Sequence, residues 1–111
     1  MNRRFRLGKR TDFERVRRSG KSYAHPLIVL IALANELGQT RFGISAGRSV
    51  GGAVQRNRTK RRIRGVLTPI AVDVHSGWDL VFLARKGLEN STHHELDQAI
   101  KKLLARARLY P

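Results

Sequence analysis

The chain has 111 residues, with 23 Lys or Arg against 8 Asp or Glu, a formal net charge of +15 and 41% hydrophobic residues. That length accommodates one domain, residues 1–111, around a single modest core, and a positive excess dominated by arginine points to a polyanionic partner, nucleic acid first. No apolar run reaches the ~18 residues that cross a bilayer, and the absence of cysteine excludes disulfides and thiolate zinc sites, in keeping with a reducing compartment.

The charged start Met1-Asn2-Arg3-Arg4-Phe5-Arg6 is not followed by the apolar core and cleavage site of a signal peptide, so the chain is expected in the cytoplasm, away from membranes. Thr11-Asp12-Phe13-Glu14 predicts a helix start, with Thr11 as N-cap and Glu14 completing a capping box. The helix runs to about Arg18, with Phe13, Val16 and Arg17 on its inner side. Lys21 to Ala24 is a short strand ended by Pro26, and Leu27 to Leu33 is a strand buried on both faces. A turn over Asn35-Glu36-Leu37-Gly38-Gln39 and a strand from Thr40 to Ala46 predict a hairpin with it.

Gly47, Gly51 and Gly52 precede the basic segment, where they either admit close approach of a phosphate or simply form a loop. Their spacing matches no nucleotide-binding fingerprint. A helix follows from Ala53 to about Leu67, with Ile63, Val66 and Leu67 facing the core and Pro69 expected to end it before Ile70. The turn His75-Ser76-Gly77 leads to a strand over Trp78–Ala84. The last helix is capped by Thr92 with Glu95 and buries Leu96, Ala99, Ile100, Leu103, Leu104 and Ala107. The whole is an α+β domain with a small mixed sheet.

Within the second helix, Arg56-Asn57-Arg58-Thr59-Lys60-Arg61-Arg62-Ile63-Arg64 carries six cations in nine residues. At about 100° per residue they sort about the buried stripe. Arg56, Lys60 and Arg64 form a row beside the seam with the sheet, Asn57, Arg58 and Arg61 lie on the exposed side, and Arg62 lies on the other flank. No carboxylate occurs between Arg41 and Leu67, unlike a merely solubilising face. The two sets suggest two nucleic-acid elements.

Catalytic candidates are absent. The acids are dispersed, and His93 and His94 point about 100° apart on a helix rather than along one metal-binding face. His25 and His75 sit beside Pro26 and in a polar turn. A stand-alone nuclease, which needs convergent carboxylates or an acid–base pair, is therefore disfavoured.

Gly43-Ile-Ser-Ala-Gly-Arg48 followed by Ala53-Val-Gln-Arg-Asn-Arg-Thr-Lys-Arg-Arg-Ile-Arg64 resembles the signature of the protein subunit of bacterial ribonuclease P. Arg6-Leu7, Asp12-Phe13, Asp79-Leu-Val-Phe-Leu-Ala-Arg85-Lys86 and Leu109-Tyr110 extend the resemblance over essentially the whole chain. It implies an α-β-β-β-α-β-α order with three helices, a mixed four-stranded sheet and a left-handed β-α-β crossover, against a general right-handed preference of about 98%.

The resemblance also implies that a catalytic RNA subunit, with magnesium bound mainly by RNA, cleaves the 5′ leader from precursor tRNA. One protein per RNA would dock on that RNA and hold the leader in a cleft. By matching position the RNA-binding set is Arg48, Arg56, Asn57, Arg58, Lys60, Arg61 and Arg64. The leader cleft comprises Phe13, Arg17, Val29, Ile31, Arg56 and Lys60, with no catalytic or metal-binding residue on this chain. Arg17 and Ile31 stand where relatives often carry aromatics, and Ser49 where a basic residue is common. A ribosomal-type RNA-binding protein is the alternative with the same charge.

Neutralising about six phosphates on duplex-like RNA makes log affinity fall with log salt at a slope of about −5. A titration of RNA binding across salt concentrations checks this, and a slope near zero excludes the electrostatic account.

Overall fold

Alternating apolar residues in the strands and apolar stripes in the helices give this chain three layers, seen in a computed structural model that describes residues 1–111. The order is α1 (Arg10–Ser19), β1 (Lys21–Ala24), β2 (Ile28–Ala34), β3 (Arg41–Ala46), α2 (Ala53–Ile70), β4 (Trp78–Ala84) and α3 (His93–Arg106). This is the predicted α+β order, with one four-stranded mixed sheet.

Period-2 alternation along the central strands serves both faces. Ile28, Leu30 and Ala32 of β2 and Leu80 and Phe82 of β4 point into the main core with α2 and α3. Ile31 and Val81 point the other way and join Leu7 and Val16 in a smaller cluster under α1, with Val29, Leu33, Leu83 and Phe13 packed against it.

The predicted β2–β3 hairpin does not form. The strand order is β1-β2-β4-β3, with β4 inserted antiparallel to β2 and parallel to β3. The connection over residues 35–40 instead arches across the start of β4. Asn35 N–H donates to the Gly77 carbonyl at 2.8 Å, and Trp78 N–H donates to Thr40 Oγ1 at 3.2 Å. Length and turn chemistry suited a hairpin, but Asp79 supplies the stronger constraint.

Asp79 is fully buried and stands opposite Arg41 in the β3–β4 register. Arg41 donates to both of its oxygens, Nε to Oδ1 at 2.9 Å and Nη2 to Oδ2 at 2.8 Å. Asn35 Nδ2 donates at 2.8 Å and Arg15 of α1 also donates to the carboxylate. One carboxylate thereby joins β4 to β3, α1 and the β2–β3 connection. Burial alone would push its pKa up, but the bonds from Arg41, Arg15 and Asn35 outweigh burial and hold it below the ordinary carboxylate range.

Two local expectations are corrected. The N-cap of α1 is Lys9 rather than Thr11, because the Asp12 and Phe13 N–H groups both donate to the Lys9 carbonyl and close the first turn earlier. Glu14 pairs back with Arg10 at 3.2 Å, so no capping box forms there. Pro69 does not end α2, which continues through Ile70. A proline so near a C-terminus removes only one intrahelical donor, and burial of Ile70 beside Val66 and Leu67 holds the last turn. The capping box of α3 forms as predicted, with reciprocal bonds of 2.8 and 3.1 Å between Thr92 and Glu95.

A carboxylate with a depressed folded pKa contributes stability above its unfolded value, near ~3.9, and that contribution disappears as pH falls through the folded value. Asp79→Asn is expected to destabilise the protein by about 2 kcal/mol at neutral pH, because two part-buried arginines lose their anion and solvent screens part of that loss. In denaturant titrations the gap between the two proteins narrows below about pH 4, and a gap independent of pH excludes the ionic account.

Candidate nucleic-acid interface

The apolar stripe of α2 sets the orientation of its cations. With Ile63, Val66, Leu67 and Ile70 buried against the sheet, Arg56, Lys60 and Arg64 are half-buried along the seam, and Asn57, Arg58 and Arg61 are exposed. Arg48 is exposed on a 3-10 turn just before the helix, and Gly51, at φ 134°, occupies backbone space closed to other residues. None of Arg48, Arg56, Arg58, Lys60, Arg61 or Arg64 has a carboxylate within ion-pairing distance; the ion pairs of the molecule involve Arg10, Arg15, Arg41 and Lys101. The charge of this helix is left for something outside the chain.

Beside the seam, Lys60 and Arg64 line a cleft of 360 Å³ with Phe13, Phe42, Ile44 and the N-terminal residues Arg6 to Gly8. The cleft exists because the N-terminal segment pairs with the outer edge of β3, where Leu7 N–H donates to the Phe42 carbonyl at 2.9 Å. From there the chain turns into α1 and lays Phe13 over Gly43. A Cβ at Gly43 would lie 2.7 Å from Phe13 Cζ, so the close approach of ring to strand requires glycine. A half-buried aromatic ring beside two unpaired cations is suited to a base stacked on the ring and a phosphate held at the rim.

Of the sequence-predicted cleft residues, Phe13 and Lys60 line this cleft, and Phe13 also packs with Val29 on the cluster under α1 that holds Ile31. Arg64 joins Phe13 and Lys60. Val29 is half-buried and Ile31 only 7% exposed on the α1-facing side of β2, which β4 separates from β3. That insertion puts two strand spacings, about 9.6 Å, between β2 and β3. Ile31 lies beneath α1, close enough that a Cβ on Gly20 would sit 2.7 Å from its Cγ2. Arg17 is exposed on α1, and Arg56 reaches back to the Gly51 carbonyl at 3.5 Å.

Arg62 has a function that helical geometry alone did not reveal. Its guanidinium donates to the carbonyls of Leu88 at 3.1 Å and Ser91 at 2.7 Å, bracing α2 against the loop that leads into α3. Its position on the other flank was readable, but the carbonyls that receive it come from residues 26 and 29 positions away. The histidines offer no acid–base pair. His25 accepts the Leu27 N–H at Nδ1, and no three His, Asp or Glu side chains converge as a metal-binding group.

A family model described as ribonuclease P matches residues 1–108. The chain belongs to the ribonuclease P protein family. It is 36% identical over 110 residues to the ribonuclease P protein component of Herpetosiphon aurantiacus, covering 99% of this chain and 89% of that one. To the same component of Dehalococcoides mccartyi strain 195 it is 38% identical over 104 residues, covering 94% and 85%. Among solved structures it is similar to the RNase P protein of Staphylococcus aureus, with a TM-score of 0.87 at 28% identity over 96% of this chain and 98% of that one. The RNase P protein of Thermotoga maritima aligns with a TM-score of 0.82 at 28% identity, over 91% and 96%. The ribonuclease P protein fold is thus shared across the chain.

The two adjacent arginines of α2 separate in a melting experiment. Arg62→Ala is expected to cost about 1–2 kcal/mol, since two main-chain acceptors lose a charged donor, whereas Arg61→Ala on the open face stays within about 0.5 kcal/mol of the parent. Equal losses for the two variants exclude the bracing function of Arg62.

Proposed function

We propose that this chain is the protein subunit of a ribonuclease P holoenzyme, an endoribonuclease that generates the mature 5′ end of tRNA. The observation that carries the reading is the pairing of unpaired cations with the Phe13–Lys60–Arg64 cleft, in a chain of the ribonuclease P protein family. Asn57, Arg58 and Arg61, with Arg48, dock on the RNA subunit. Lys60, Arg64 and Phe13 receive the single-stranded 5′ leader of precursor tRNA at the rim of the sheet, with Arg56 at the same seam and Arg17 near α1 adding backbone attraction.

The chain contributes positioning and charge. Asp12, Glu14, Asp79 and Asp97 are engaged by cations and Glu95 caps α3, and no three His, Asp or Glu side chains converge, which supports leaving magnesium to the RNA. Phosphodiester hydrolysis is assigned to the RNA and the magnesium it binds. Holding the leader beside the docked RNA raises substrate affinity without any proton transfer by the protein. One protein per RNA satisfies both cation sets, and the reading places the complex in the cytoplasm. A ribosomal-type RNA binder would use the exposed row but has no need of an aromatic ring in a cationic cleft.

Reconstitution with the cognate RNA, using precursor tRNA with and without a 5′ leader, tests this function. Protein alone with magnesium is expected to cleave nothing. Lys60→Ala is expected to weaken affinity for the leader-bearing substrate by roughly fivefold to twentyfold, and Arg61→Ala to weaken RNA-subunit docking by a similar factor, as expected for loss of one charged contact. Cleavage by the protein alone, or no effect of the protein on leader-bearing substrate, excludes the proposal.

A further inference from the structure

A second concentration of unpaired charge lies at the opposite edge of the sheet. There the β1–β2 turn, residues 25–27, faces α3 across a groove of 640 Å³ lined by His25, Pro26, Leu27, Gln98, Lys101 and Lys102 among others. The groove is bordered by cations that main-chain carbonyls hold in place. Arg85 donates to the His25 carbonyl at 3.3 Å and Arg106 to the Ala24 carbonyl at 2.8 Å. Arg106 and Lys21 also lie over the Tyr23 ring, at 5.9 and 5.5 Å from its centroid.

Two nearby acids offset this charge only in part, leaving the cations in excess. Asp97 is paired with Lys101 at 3.1 Å, and Glu95, which also lines the groove, is engaged by the Thr92 N–H in its cap. Lys21, Arg85, Lys102 and Arg106 form no ion pair. His25 adds a donor rather than a charge. Its Nδ1 accepts the Leu27 N–H at 3.1 Å, which places the proton of the neutral ring on Nε2, and partial burial with Lys102 and Arg106 nearby lowers its pKa. Arg85, Lys102 and Arg106 around the turn repel one another, and fixing two of them on carbonyls shapes the surface without neutralising it.

We propose that this face, formed by the β1–β2 turn and the Lys102–Arg106 row of α3, is a second docking surface for the phosphate backbone of the RNA subunit. The inference rests on the ribonuclease P reading above. It assigns the surface to that RNA because α2 and α3 cover the same face of the sheet and share one core. A folded RNA lying against the exposed row of α2 extends over α3. The leader cleft lies at the β3 edge, three strand spacings or about 14 Å from β1. Lys102 and Arg106, one helical turn apart on α3, form a row of point charges suited to a phosphate backbone rather than to base recognition.

The test measures affinity of the full chain for its cognate RNA subunit as a function of salt, beside cleavage of precursor tRNA with and without a leader. Lys102 has no polar partner in the protein, so Lys102→Glu changes charge without removing a structural bond. It is expected to weaken RNA-subunit affinity about tenfold at low salt, and the double variant Lys102→Ala/Arg106→Ala to make the salt slope shallower by about 2, with Lys102→Arg restoring parental binding. Melting curves confirm that each variant folds. Unchanged affinity in these folded variants, while Arg61→Ala still weakens binding, overturns the second surface and leaves the proposed function standing. If Arg61→Ala is also without effect, both readings fall. An effect confined to leader-bearing substrate overturns the assignment to the RNA subunit.

Discussion

A carboxylate buried without water must be matched by donors whose positions are fixed, and the fold is organised around that requirement at Asp79. Arg41, Arg15 and Asn35 supply those donors from three different elements, and Asp12 adds a longer contact of 3.8 Å to Arg41. Setting Asp79 opposite Arg41 keeps β4 beside β3, and β4 then separates β2 from β3. With β3 and β4 parallel neighbours, the chain between them has to cross over the sheet, and α2 is that crossover. The location of the basic helix thus follows from where one acid is neutralised.

Charge is handled in two opposite ways in this molecule. Under α1, arginine is spent on a buried acid, and on the inner flank of α2 Arg62 is spent on carbonyls of the loop before α3. These cations are structural and close to fully engaged. Along the seam and the exposed side of α2 the cations have no anionic partner, and the same is true of Arg85, Lys102 and Arg106 beside the β1–β2 turn. A net charge of +15 raises the energy of the compact state, and the one buried acid, Asp79, offsets part of it where it organises the sheet. The cleft at the β3 edge adds an apolar surface to that field, with Gly43 leaving room for Phe13 to lie against the strand.

Much of this was readable from local rules. The Thr92–Glu95 box, the turn before Trp78, the two-sided burial of β2 and the sorting of Arg56, Lys60 and Arg64 from Arg58 and Arg61 all depend on neighbours within a few residues, where spacing and side-chain chemistry decide. The failures have the same physical origin. Thr11 met every local criterion for an N-cap, yet the first turn closes on Lys9, with Asp12 directed toward Arg15 and Arg41. Pro69 stays within α2 because burial of Ile70 outweighs one lost donor.

The amino-acid sequence by itself determined the α+β class, the element order, the family and the presence of a cationic helix with a buried stripe, because those rest on periodicity, composition and a contiguous motif. Tertiary structure alone decided that β4 enters between β2 and β3, that Phe13 and Val29 pack on the cluster holding Ile31 while Phe13 also lines the cleft with Lys60 and Arg64, and that Arg62 braces the loop before α3. The reason is distance along the chain. Asp79 finds Arg41 across 38 positions and Arg15 across 64, and no local pattern encodes which distant donor a buried charge will choose.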